Sequence, residues 1–162
     1  MTRVDHDTIV VGVDSSEFSD AALDWALAEA KRSGRRLLLV NVWHWSSSVV
    51  GSPLSIFGQH DPYSAGRHIL EHAARRARAD GVAVLTWLVE GSPAGALVDI
   101  SADAAMLVVG SHGHGSVRSS LLGSVSRGLV SQARCPVVII PPGLAGPRIA
   151  PLGGAVSAGR HA

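Results

Sequence analysis

Short apolar runs alternating with helix-periodic segments predict an α/β protein: a five-stranded parallel open sheet with helices on both faces. Three observations carry the prediction. The first run, TIVVGV at 8 to 13, is β-branched and continuously apolar, as suits a strand buried on both faces. Segments between such runs repeat apolar residues at helical spacing. The length, 162 residues, suffices for one domain with a real core and would cramp two.

Asp14, Ser15 and Ser16 break the first strand. A helix is predicted from about Ser19, read as its N-cap, with Leu23, Ala26, Leu27 and Ala30 on one face and Gly34 as its stop. Residues 36 to 43, RLLLVNVW, form the second strand, and the polar stretch from Ser46 to about Pro62 reads as a long loop. Leu70, Ala73, Ala74 and Ala77 mark a helix closed by Gly81, and AVLTWLV at 83 to 89 the third strand. A short helix fits 94 to 102, with Ser92 and Pro93 near its start. The fourth strand spans 105 to 109, a helix interrupted by glycines runs from Ser116 to Ala133, and the fifth strand covers 136 to 140. Residues 1 to 142 are thus expected to form a single domain. The Pro-, Gly- and Ala-rich tail, 143 to 162, has no periodicity and is expected to be disordered.

Composition excludes several functions. Apolar residues make up 46% of the chain and charged residues 17%, and a formal charge of +1 gives no global attraction to nucleic acid or membrane. Neither is expected as a partner. The start, MTRVDHDTIVVGVD, lacks the order of a signal segment, and no apolar stretch approaches the ~20 residues needed to cross a bilayer. The lone Cys135 forms no disulfide within the chain. A cytoplasmic protein is the expectation.

In open parallel sheets ligands sit beyond the carboxyl ends of the strands, where strand order reverses. The Gly-rich stretch VVGSHGHGSVRSSLLGSVSRG, 108 to 128, follows strand four, and Asp14 follows strand one. If those strands are neighbours, both face one crevice. No GK pair exists for a Walker loop, and Gly113-His114-Gly115 is followed by Arg118 where a dinucleotide fingerprint needs its third glycine. What remains is Gly110-x-x-Gly113, nine residues, then Gly123-Ser124. Glycines let backbone N–H groups approach a phosphate, and the helix N-terminus behind them carries partial positive charge. Ser124 and Ser126 add hydroxyls. The plainer alternative is a tight strand-to-helix turn at Gly110 and Gly113, with Gly123 allowing close packing of the helix.

The run Gly110-Ser-His-Gly113, with LLGSVS at 121 to 126 and CPVVIIP at 135 to 141, resembles the universal stress protein family, whose ATP-binding members carry G-2x-G-9x-G-[ST]. The stretch 9 to 30 is similar to the family's first strand and helix, and element order matches from about Thr8 to Pro142. The resemblance implies a Rossmann-like, adenine nucleotide alpha-hydrolase-like sheet that binds ATP. It would set Asp14 and Gly12 beside the adenosine part and give Val42 a backbone contact to adenine. Gly110, Ser111, His112, Gly113, His114, Gly115 and Ser116 would wrap the triphosphate, and Ser124, Val125 and Ser126 would bind phosphates. His112, His114, Arg118 and Arg127 are further candidate donors, and Mg²⁺ would be held mainly by phosphates and water. The implied output is regulatory, a nucleotide switch in stress response acting on a protein partner yet to be identified, with at most slow hydrolysis.

Rival readings come from other classes. The last strand, PVVII, would pair with its twin in a homodimer if it lies at the sheet edge, which also suits an interaction module with a vestigial pocket. A cyclic-nucleotide binder or small-molecule enzyme would use the same crevice. His68-Ile-Leu-Glu71-His72 spells an inverted zinc-protease signature, but no third ligand is evident beyond Glu90. Ser116 lies outside any nucleophile elbow, and Cys135 reads as buried at the start of a strand. Trp43 and Trp45 read as packing residues.

Overall fold

The computed structural model describes residues 4–44, 61–113 and 122–143. Its elements run β1 (Thr8–Gly12), α1 (Glu17–Ser33), β2 (Arg36–Trp43), α2 (Pro62–Ala79), β3 (Val84–Glu90), α3 (Pro93–Ile100), β4 (Met106–Gly110), α4 (Ser124–Gln132) and β5 (Val137–Ile140). The sheet order is β3-β2-β1-β4-β5, with every neighbouring pair parallel. Strands grow outward from β1 in both directions, so the switch point lies between β1 and β4, the strand that ends at Gly110.

Both faces of the central strands are covered, which is why their sequences are apolar without alternation. Ile9, Val11, Leu37, Leu39 and Val108 pack with the buried stripe of α1 and with Leu70, Ala73, Ala74 and Ala77 of α2. On the opposite face Val10, Leu38, Val40, Leu107 and Val109 pack with Leu97 and Val98 of α3 and Leu129 of α4.

Helix α1 starts earlier than its sequence suggests. Ser16, not Ser19, is the N-cap: its backbone is extended and its Oγ accepts the Ser19 N–H at 3.1 Å. Glu17 and Asp20 in the first turn, with Lys31 and Arg32 in the last, complement the helix dipole. Gly34 takes the left-handed conformation that ends the helix. Arg76 of α2 reaches Asp20 at 2.9 Å and also Asp24, and Lys31 meets Asp80 at 2.8 Å, so the two helices are pinned side by side.

Other boundaries also differ. Asp61 caps α2, so Pro62 opens that helix instead of closing a loop. Most of the expected loop, 45–60, lies outside the described residues. The helix expected from Ser116 to Ala133 is seen from Ser124 to Gln132. Gly123 and Ala133 are extended, Leu122 is not helical, and 116–121 lie outside the described residues. Expected strand limits at β3, β4 and β5 shift by one residue. Cys135 is half-buried and precedes β5, where it packs against the α3–α4 core instead of sitting buried in a strand. β5 does occupy a sheet edge. The tail from residue 144 lies outside the described residues.

Candidate functional site

The β1–α1 turn carries the first polar group. Ser15 holds a positive φ of 66°, a conformation that costs a non-glycine residue about 1 kcal/mol or more. Asp14 stabilises the turn. Its Oδ1 accepts from the Ser16 N–H at 3.0 Å and the Ser16 hydroxyl at 2.6 Å, and its own N–H donates to Ser19 Oγ at 3.0 Å. The Asp14 carboxylate therefore does cap the turn through one oxygen. Its other oxygen faces Gly113, where a β-carbon would stand 2.5 Å from Oδ2.

The end of β4 is fastened from several sides. Ser111 N–H donates to Ile140 O at 2.8 Å, and Ser111 O accepts the Gly123 N–H at 2.8 Å. Ser126 is buried, and its hydroxyl donates to Gly110 O at 2.9 Å and Ser111 O at 3.2 Å. These bonds seat the first turn of α4 against the end of β4. The N–H groups of Ser124, Val125 and Ser126 fall in that turn, where helix geometry supplies no acceptor four residues back. His112 packs on Phe18 with ring centroids 5.1 Å apart, and its Nδ1 lies 3.1 Å from Ser111 Oγ.

These pieces enclose a cavity of about 270 Å³ at the carboxyl ends of β1, β2 and β4. Gly12, Asp14, Val42, Gly110, His112, Gly113, Gly123, Ser124, Val125 and Ser126 all border it. Ser111 does not: it is buried beneath as a fastener. His114, Gly115 and Ser116 lie outside the described residues, as do Arg118 and Trp45. Sequence reasoning missed Val13, Ser19, Val40, Asn41, Pro93, Leu97 and Val109 on the wall. Of these only Asn41 carried a signal, as the one uncharged polar residue inside an apolar strand. The wall is divided in character. Val40, Val42, Leu97 and Val109, members of one packed cluster, line an apolar slot, and Asp14, Ser19, Asn41, His112, Ser124 and Ser126 add polar groups to the wall. A β-carbon on Gly12 would stand 3.1 Å from Val109 Cγ1 and 3.2 Å from Leu97 Cδ1, so the slot is closely packed at its base.

Elsewhere, His68 Nδ1 lies 3.9 Å from Glu71 Oε2 on the outer face of α2. Among the described residues no group of three His, Cys, Asp or Glu is placed to hold a metal ion, and no helix is long and apolar enough to cross a membrane. Trp43 packs edge-on to Tyr63 at 5.8 Å, joining the end of β2 to the start of α2.

Known proteins share the family and the fold. The sequence model described as the Universal stress protein family matches residues 6–141. Universal stress protein Rv2005c of Mycobacterium tuberculosis is 35% identical over 142 residues, covering 82% of this chain and 47% of that protein. The chain spans about half the length of the curated relatives it matches. UspA of Lactobacillus plantarum has the same fold, with a TM-score of 0.70 at 20% identity over 86% of this chain and 99% of that one. A universal stress protein crystallised in complex with cAMP is 30% identical, with a TM-score of 0.62 over 82% of this chain and 95% of that one. With a family match that runs from before β1 to just past β5, the chain belongs to the universal stress protein family.

Proposed function

We propose that this protein binds an adenine nucleotide, ATP with Mg²⁺, at the ends of β1 and β4, and that binding regulates its contacts with a protein partner in the cytoplasm during stress. One observation carries the reading: a single cavity is bordered both by the apolar side chains of Val40, Val42, Leu97 and Val109 and by Gly113 and the N-terminus of α4. The slot suits a planar base, and the N–H groups of the α4 first turn suit a phosphate. In this reading Gly12, Asp14 and Val42 hold the adenosine part. Gly110, His112 and Gly113, continued by His114, Gly115 and Ser116, follow the phosphates, with Ser124, Val125 and Ser126 behind them, and Ser111 fastens the turn from beneath. Ser126 acts through its N–H, because its hydroxyl already serves two carbonyls. Asp14 is the one carboxylate on the cavity wall among the described residues, so Mg²⁺ would be carried mainly by phosphate and water oxygens.

The cAMP complex of a 30% identical relative supports an adenine ligand and also favours a second reading, a cyclic nucleotide in the same slot. A thermal-shift screen separates them. ATP at a hundred times its Kd should stabilise the fold by about 2.7 kcal/mol. A response to cAMP alone moves the assignment to the cyclic nucleotide, and no response to any adenine nucleotide overturns it.

We also propose a homodimer through β5. Its four residues lie at the sheet edge with Val137, Val138 and Ile139 half-buried, and pairing with a second copy would satisfy the open backbone edge. Sedimentation that shows only monomer at high micromolar concentration would contradict it.

A further inference from the structure

We propose that Asn41 is a positioning residue for the nucleotide site, acting through Asp14; the inference rests on the adenine-nucleotide reading above. Asn41 sits in β2 among Leu37, Leu38, Leu39 and Val40, and it is only 6% exposed. A buried amide stabilises nothing unless it is hydrogen-bonded, and an apolar residue would serve the core alone at lower cost. Its carboxamide has a definite task. Nδ2 donates to Val13 O at 2.7 Å. That oxygen belongs to the planar peptide unit whose nitrogen is the Asp14 N–H, and the Asp14 N–H donates to Ser19 Oγ at 3.0 Å. One peptide plane is therefore gripped at both ends, by β2 through Asn41 and by α1 through Ser19.

The grip is itself held from behind. A β-carbon on Gly66 would lie 2.5 Å from Asn41 Oδ1 and 2.6 Å from Leu88 Cδ1, so the α2 backbone rests directly on the carboxamide and fixes its rotamer. Orientation passes from α2 to Asn41, from Asn41 to the Val13–Asp14 peptide, and from there to the carboxylate beside Gly113. Releasing Nδ2 frees that plane to rotate and carries the Asp14 side chain off the cavity.

A double-mutant cycle read by ATP–Mg²⁺ titration tests this. Asn41→Ala should raise the Kd about tenfold in the otherwise unsubstituted protein and less than about twofold in an Asp14→Ala background. A merely structural Asn41 would weaken both backgrounds alike. Unsubstituted protein that binds no adenine nucleotide overturns the nucleotide reading itself. Unsubstituted protein that binds, with Asn41→Ala matching it or with the two substitutions additive, overturns the positioning role alone. Should Asn41→Ala fail to fold, hydrogen exchange in the unsubstituted protein decides: the Asn41 side-chain amide protons should exchange more slowly at saturating ATP, and an unchanged rate overturns the role.

Discussion

Gly110 lies flush against the backbone of Phe18: a β-carbon built on it would stand 2.6 Å from the Phe18 carbonyl carbon and 2.7 Å from its oxygen. The first glycine of the motif is thus where α1 crosses the end of β4, and packing alone demands it. Gly110→Ala should cost about 1–3 kcal/mol of stability, because the obstacle is main chain and cannot step aside. Chemical denaturation measures it, and an unchanged midpoint would contradict the packing role.

Gly113 differs, because a β-carbon there would meet Asp14 Oδ2 at 2.5 Å, the far end of a side chain. Gly113→Ala should therefore fold with a loss of under about 1 kcal/mol while displacing the carboxylate. ATP affinity should fall roughly tenfold, about 1.4 kcal/mol. Equal affinity in the two proteins would remove Asp14 and Gly113 from the site.

Ser126→Ala removes a buried hydroxyl that serves Gly110 O and Ser111 O. The expected loss is about 1–2 kcal/mol of stability, with ATP affinity within about threefold of the parent. A large affinity loss without a stability loss would place the hydroxyl on the ligand instead.

Much of the fold was legible because β1, β2 and β4 are buried on both faces and alternate with helices of clear period. The misread boundaries have local or distant causes. Ser16 and Ser19 are both good N-caps by composition, and only the extended backbone of Ser16 separates them. Leu121 and Leu122 extend a helical pattern, yet Gly123 is drawn out of the helix by its bond to Ser111 O. Gly110, Gly113 and Gly123 were legible as glycine spacing, Asp14 by its place after the first strand, and Gly12 and Val42 only through the family resemblance. Their partners were not, since Phe18, Ser19, Asn41 and Leu97 come from other elements and meet the motif only through the sheet order.

Acid should weaken the cap of α2. The Ser64 hydroxyl, helped by the Tyr63 and Ser64 N–H groups and opposed by burial, holds the Asp61 carboxyl below its ordinary value of 3.8. A carboxylate depressed on folding contributes stability that is whole above the unfolded value and lost as pH falls through the lower folded one. The melting-temperature gap between parent and Asp61→Ala should stay constant above roughly pH 4 and shrink below it. A gap that widens in acid would contradict the cap.

The measurement closest to the central claim is calorimetric titration of ATP with Mg²⁺ into the parent and Gly113→Ala, chosen over Gly110 because that glycine serves the fold. Micromolar binding by the parent, about −8 kcal/mol, weakened roughly tenfold in a variant that melts normally, is the expected result. No heat and no thermal shift with any adenine nucleotide would contradict the account and leave the Gly-rich stretch as a packing turn.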